Sequence, residues 1–252
     1  MTDETQVWHD PNFANTLDPL CHEVHVWQAR LSQSALDLSA FPGDLSQEEH
    51  QRASRFRSDH DRMRFLLGRL IARSVLGRCL KQQAREVRFT LDHSGKPAVA
   101  SSSIHFNISH SGDHVLFALA QNHRIGVDVE QLRKIDDLDD IAATHFSVAE
   151  RSRLKAVPQP VKTECFFRCW TMKEAYIKGR GEGFGLPLDS FDVAFLPDET
   201  PRLLATRFDP ADAARWCFRQ LNVGPGYLAA LVTDVAPPFT LRLWDWNRWR
   251  RT

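Results

Sequence analysis

The strongest periodic signal in the chain is RMRFLLGRLIARSVLGRCL, Arg62 to Leu80, where Phe65, Leu66, Leu70, Ile71 and Leu76 fall on one broad face at the helical period and arginines fill other positions. That spacing predicts an amphipathic helix. Upstream, Ser46 with Glu49 three residues later gives a capping-box start for a shorter helix at about 47–57. TECFFRCWTMKEAYIK predicts a third helix from about Thr163 to Lys178, stopped by the glycine-rich GRGEGFG. A polar stretch with Asp136, Asp137, Asp139 and Asp140 leads into a helix-like region through Glu150 to Leu154, which Pro158 and Pro160 end.

Two-residue alternation marks the strands. His22 to Leu31 alternates well, and Val87 to Asp92, Ser103 to Ser109, Val115 to Ala120, Ile125 to Glu130 and Leu188 to Phe195 also read as strands, as do WCFRQLNV and GYLAALVT near the end. SGKP, Ser94 to Pro97, has turn chemistry. The polar QNHR between VLFALA and IGVDVE predicts an antiparallel hairpin. Helix followed by strand in both halves allows two similar lobes meeting near residues 110 to 125.

Composition narrows the class. With 252 residues, 42% hydrophobic and 25% charged, the chain is long and apolar enough for a sizeable core. Its 32 basic and 32 acidic residues leave no global field toward nucleic acid or membrane. Five cysteines, Cys21, Cys79, Cys165, Cys169 and Cys217, contain no CxxC pair, which argues against a disulfide framework or zinc ribbon and for a reducing, cytoplasmic setting. MTDETQVWHD has neither the basic start nor the apolar segment of a secretion leader, and no run of about 18 apolar residues occurs, so no membrane span is expected.

The chemistry concentrates in two segments. On the predicted strand Ile125 to Glu130, Asp128 and Glu130 project from one face about 6.6 Å apart. Two anions facing the same way need solvent, Lys or Arg neighbours, or a shared cation. On the third helix Glu174 falls on the stripe of Phe166, Phe167, Trp170 and Ile177, with Lys178 four residues on. Taken alone, Glu174 and Lys178 are an ordinary ion pair and the strand acids a solvated face. Together, three carboxylates with apolar neighbours suit a hard divalent cation such as Mg²⁺. His105, His110 and His114 do not share a face and have no Cys beside them, which disfavours zinc. His110, between Ser109 and Ser111, is either a phosphate-binding turn residue or a satisfied turn histidine. GRGEGFG follows a helix and precedes a strand, the reverse of a dinucleotide loop. Arginines 52, 55, 57, 62, 64, 69, 73 and 78 form either a phosphate, RNA or acidic-protein surface or a face balanced by Glu48, Glu49, Asp59 and Asp61.

Taken together, GKP at 95–97, FNISHSG at 106–112, GVDVE at 126–130, FSVAE at 146–150, WTMKEAYIKGRGEG at 170–183 and LPLDSF at 186–191 resemble the 4′-phosphopantetheinyl transferases of the Sfp type over roughly residues 45–195. The resemblance implies an α/β (α+β) monomer of two similar lobes related by pseudo-twofold symmetry, here 1–115 and 116–252, with coenzyme A between them. It implies transfer of phosphopantetheine from coenzyme A to a serine of an apo acyl or peptidyl carrier protein, with release of adenosine 3′,5′-bisphosphate. By position, Asp128, Glu130 and Glu174 match the family's Mg²⁺ carboxylates and Lys178 a lysine at the coenzyme A phosphates. Arg52, Arg64, Lys96, Ser109 and His110 match positions lining the nucleotide; Lys173 is a further phosphate candidate, and Glu150 matches an acid near the metal. A basic residue that relatives carry just before Arg52 is here Glu49 or His50, and Arg52 replaces a lysine. Catalysis on this reading falls to Glu174 as proton acceptor, Lys178 at the leaving group and Glu150 as an orienting acid.

Two other functions use the same features. A different Mg²⁺-dependent phosphoryl or nucleotidyl transferase, or a hydrolase, needs the same three acids. A non-catalytic module would salt-bridge the acids and bind RNA or an acidic protein through the arginines.

Overall fold

Two of the predicted helices form the outer layers of a four-layer stack, helix on sheet on sheet on helix. The structure is a computed structural model that describes residues 6–10, 22–31, 41, 43–91, 95–100, 102–182 and 185–248. The first half runs β1 (Glu23–Arg30), α1 (Gln47–Ala53), α2 (Asp59–Cys79), the hairpin β2 (Phe89–Leu91) and β3 (Pro97–Val99), then β4 (Ile104–Ser111) and β5 (His114–Gln121). The second runs β6 (Ile125–Gln131), α3 (Leu138–His145), α4 (Val148–Ala156), α5 (Gln159–Arg180), β7 (Phe191–Val193), β8 (Leu203–Thr206), α6 (Asp212–Arg215), β9 (Cys217–Leu221) and β10 (Tyr227–Thr233). A last strand, β11 (Thr240–Asp245), pairs in parallel with β1. The main sheets are ordered β11-β1-β5-β4 and β6-β10-β9. Strand, helices, small hairpin and two further strands thus recur in the same order in both halves, as two similar lobes require.

Alternation decides which face of each strand meets which layer. On β1 and β5, Trp27, Ala29, Val115, Phe117 and Leu119 pack with Leu67, Leu70, Ile71 and Val75 of α2. The intervening Val24, Val26, Leu116, Ala118 and Ala120 pack instead on Val127, Val129, Ala229 and Leu231 of the second sheet. The far face of that sheet carries Leu228, Ala230 and Val232 against α5. Each fully buried Leu, Val or Phe contributes roughly 1.5–3 kcal/mol. The middle layer therefore outweighs exposed ion pairs such as His60–Asp113, worth about 0–1 kcal/mol each.

The hairpin expected of VLFALA and IGVDVE does not form. β5 pairs antiparallel with β1 and β4, whereas β6 pairs with β10. The loop at 122–124 carries the chain from one sheet to the other. Burial on both faces of β5 and along β6 from Ile125 to Val129 lets the two strands stack across the middle layer instead of pairing edge to edge. A division after residue 115 would pass through β5, all of which pairs within the first sheet, and β11 returns to that sheet from the end of the chain. Pro160, expected to end a helix, opens α5, where its missing N–H costs nothing. Leu188–Ser190 form a helical turn before the short β7.

The segment 6–10 straps the layers together. His9 donates its N–H to Leu243 O and accepts from Asp245 N, on β11. Gln6 donates to Gln220 O and accepts from Asn222 N, and the Trp8 indole donates to Asn222 O, at the end of β9. Cys165, Cys169 and Cys217 are free thiols; Cys21 lies outside the described residues, as do Ser94 of the expected turn and residues 183–184 of the glycine-rich loop. Among the described residues no helix is long and apolar enough to cross a membrane.

Burial also sets an acid limit on the fold. His114, at the start of β5, is 3% exposed with its ring centre 3.9 Å from that of Tyr227 and tilted to it, and burial lowers its pKa from 6.5 to about 4. Burial lowers His25 and His105 as well. Between pH 6.5 and 4 the unfolded chain binds protons that the folded chain refuses, so stability is full above about 6.5 and falls as pH drops through that window. Glu130 and Glu174, whose pKa values burial raises, oppose this, because the folded chain takes up their protons more readily than the unfolded one. The urea midpoint is expected to be lower at pH 5 than at pH 7.5, and His114→Phe to flatten the difference; a pH-independent midpoint in the unaltered chain would refute the assignment.

Candidate active site

The acids of IGVDVE sit where β6 is squeezed between two neighbours. Gly126, Asp128 and Glu130 share the face toward α5, while Ile125, Val127 and Val129 enter the middle core. Gly126 makes the approach possible: a Cβ there would lie 2.0 Å from Ala175 O and 2.3 Å from Gly179 N, both backbone atoms of α5. Gly126→Ala is expected to cost about 3 kcal/mol of stability and to push Asp128 away from Lys178. An unchanged urea midpoint would show that the helix can yield.

The other edge of β6 meets β4, with no backbone ladder between them. Asn107, Ser109 and Ser111, alternate residues of β4, reach across instead. Asn107 Oδ1 accepts from Val127 N at 2.8 Å, Ser109 Oγ from Val129 N at 3.3 Å, and Ser111 Oγ from Gln131 N at 3.1 Å. Two of these hydroxyls also hold the acids: Ser109 donates to Asp128 Oδ1 and Ser111 to Glu130 Oε2, both at 2.8 Å. The sequence offers the Ser111 hydroxyl only as part of a phosphate-binding turn and gives Asn107 no part; the signal for this strand-to-strand bridge is FNISHS, in which Asn107, Ser109 and Ser111 alternate on one face.

From α5, Lys178 donates to Asp128 Oδ1 at 2.6 Å and to Ser109 Oγ at 3.1 Å. Glu174, one turn earlier, is half-buried; burial raises its pKa, with Asp128 and Glu130 adding to the rise and Lys178 opposing it. Burial also raises Glu130, helped by Asp128. Asp128 is 4% exposed, and its Oδ2 is buried with no hydrogen-bond partner. As the side chains lie, no group of three or more His, Cys, Asp or Glu among the described residues is drawn into a metal-binding cluster. The donor set nonetheless fits a hard cation: all oxygen, mutually repelling, with one buried carboxylate oxygen unpartnered.

His110 is exposed at the end of β4, and burial of part of its ring lowers its pKa, as do the nearby charges of Arg64 and Lys178. Arg64 donates to Gly112 O and pairs with Asp61. Lys96 bridges the halves, donating to Ile125 O at 3.0 Å and Lys178 O at 2.6 Å. Arg52 stands apart on α1, over the Phe65 ring, beside an open groove of about 570 Å³ lined by Glu48, Gln51, Arg55 and Phe56.

Two expected site residues turn away. Lys173 and Glu150 are 0% and 1% exposed and form an ion pair of 2.8 Å on the opposite side of α5. Lys173 also donates to Leu188 O and Phe191 O, and Glu150 accepts from Ser147 N and Val193 N. All three ammonium donors are used, so Lys173 has no bond left for a phosphate and Glu150 does not face the acids. Much of the arginine cluster is also committed: Arg69 and Arg73 bind the buried Glu49, which caps α1, and Arg62 pairs with Asp59. Glu49 therefore pins α1 to α2, and these arginines give an RNA-binding surface no support.

Comparison with known proteins bears on the same stretch. Residues 26–122 match the family model described as 4′-phosphopantetheinyl transferase, N-terminal, and residues 124–232 that of the 4′-phosphopantetheinyl transferase superfamily. The 4′-phosphopantetheinyl transferase HetI of Nostoc sp. is 38% identical over 73% of this chain and 79% of its own. Sfp of Bacillus subtilis is 35% identical over 76% and 83%, and ffp of Bacillus subtilis 35% over 83% and 89%. Among solved structures, the holo-[acyl-carrier-protein] synthase of Thermotoga maritima aligns with 47% of this chain and 64% of its own at a TM-score of 0.35 and 16% identity, too distant to bear on the fold. With both halves matched and the relatives aligned over most of their length, the chain belongs to the 4′-phosphopantetheinyl transferase superfamily, as one of its Sfp-type members.

Proposed function

We propose that this enzyme transfers the 4′-phosphopantetheine of coenzyme A to a serine of an apo acyl or peptidyl carrier protein, releasing adenosine 3′,5′-bisphosphate. Family membership supports the reaction class. The observation that carries the site is the meeting of Asp128 and Glu130 on β6 with Glu174 and Lys178 on α5, with Asp128 Oδ2 buried and unpartnered.

Asp128, Glu130 and Glu174 would hold Mg²⁺, which when bound supplies neutralisation of charge on the pyrophosphate oxygens. Glu174, a stronger base for its burial, accepts the proton of the incoming serine hydroxyl. The serine oxygen then bonds to the phosphorus that carries pantetheine, and the bond from that phosphorus to the bridging oxygen breaks. Lys178 turns its ammonium to the departing bisphosphate. Arg64, His110, Ser109 and Lys96 line the nucleotide, and Arg52 extends the basic edge. Arg55 and Arg57, free of the Glu49 network, offer an acidic carrier protein its first contact, and the transfer rate should fall with ionic strength. The free thiols Cys165, Cys169 and Cys217 suit action in the cytoplasm, and we take the monomer as the working unit.

The test is incubation with Mg²⁺, coenzyme A and an apo carrier protein, followed by mass spectrometry of the carrier. A phosphopantetheinyl-sized gain on the serine is expected. No gain with several carriers, while phosphate is released from another nucleotide, would overturn the assignment.

A further inference from the structure

Of the three side chains that β4 extends to β6, Ser111 has the most specific relation to its acid. We propose that Ser111 is a positioning residue, setting the Glu130 carboxylate in the orientation that the divalent cation requires; this rests on the metal reading above.

The geometry is directional. Ser111 is 9% exposed, and its oxygen accepts the Gln131 N–H at 3.1 Å, so its single proton is left to donate, and it goes to Glu130 Oε2 at 2.8 Å. Strand residues j and j+1 on β6 are thus gripped by one hydroxyl, the amide of Gln131 and the carboxylate of Glu130. This leaves Oε1 as the oxygen free to meet a cation. Ser109 makes the same double contact with Val129 N and Asp128, but it shares its oxygen with Lys178 as well. Glu130 has a competitor on its solvent side: Arg133, with its side chain 61% exposed, lies 3.7 Å from the same Oε2. Without the Ser111 hydroxyl, nothing among these contacts opposes rotation of the flexible Glu130 side chain toward Arg133. Asn107 supplies the control, since it accepts from Val127 N and touches neither acid.

The experiment compares Ser111→Ala, Ser111→Cys and Asn107→Ala with the unaltered chain. Mn²⁺ binding is read by the loss of its free electron-paramagnetic-resonance signal, the Mg²⁺ concentration for half-maximal transfer is read in parallel, and thermal melting reports the fold. Loss of a group that orients a metal ligand typically weakens affinity about 10–100-fold. Ser111→Ala is expected to weaken Mn²⁺ binding and raise the Mg²⁺ requirement by about 10-fold, and Ser111→Cys, a weaker donor, by less. Asn107→Ala should lower the melting temperature with metal affinity unchanged. If Ser111→Ala does not fold, the cysteine variant decides. Unaltered Mn²⁺ binding in the folded Ser111 variants, or an equal loss in Asn107→Ala, would overturn the inference while leaving the metal site standing. Absence of Mn²⁺ binding in the unaltered chain would overturn the metal site itself, and the inference with it.

Discussion

Glu174→Gln is expected to lower transfer by about 10³-fold or more, because it removes both a proton acceptor, worth about 10²–10⁴ in rate, and one of three negative charges at the cation site. The change keeps volume and helix propensity, so α5 should remain intact. Its stability should hold or rise slightly: the half-buried Glu174 carboxylate is already disfavoured by burial and by Asp128 and Glu130, and the Lys178–Asp128 contact does not depend on it. The measurement is single-turnover modification of a carrier protein, with circular dichroism melting alongside. Transfer within a few-fold of normal would remove Glu174 from the chemistry.

Lys173→Met is expected to have the largest effect on folding. Truncating one member of a fully buried ion pair typically costs about 3–5 kcal/mol, because the remaining charge has no partner. Here Glu150 would keep two backbone N–H donors but lose its ion-pair partner. Replacing both residues, Lys173→Met with Glu150→Met, should recover part of the loss, since no uncompensated charge remains, though the amides of Ser147 and Val193 would lose their acceptor. Urea unfolding of both variants checks this. A Lys173→Met protein that melts normally but has lost coenzyme A affinity would instead return Lys173 to the phosphates.

The contrast between Glu174 and Lys173 shows where sequence patterning stops. These adjacent residues differ by about 100° around the helix axis, enough to send one to the acids and the other to the buried far side. The apolar stripe of α5 could not separate them, because the helix is buried nearly all round: Cys165, Phe166, Phe167, Cys169, Met172, Ala175, Tyr176 and Ile177 are all in the core. Alternation on β6 was legible, since only one face meets apolar packing, and so were α1 with its capping box, α2, β1 and β4. The sheet to which β5 and β6 belong was not, because strand pairing is a long-range choice and the short loop between them imitates a hairpin. The pairing of β11 with β1 joins residues more than 200 apart, beyond any local pattern. The role of Glu49 was legible only in part: the sequence marks it as a capping residue and a counter-charge to the arginines, and in the fold it is the buried anchor for Arg69 and Arg73.

That borrowed strand has a practical corollary. Cutting the backbone at the loop 122–124 would leave an amino-terminal fragment missing the strand that covers β1, and a carboxyl-terminal fragment carrying that strand with nowhere to dock. Neither piece completes its own architecture, so regained carrier modification would report their reunion, and the protein offers a split-enzyme sensor whose two parts are obliged to find each other.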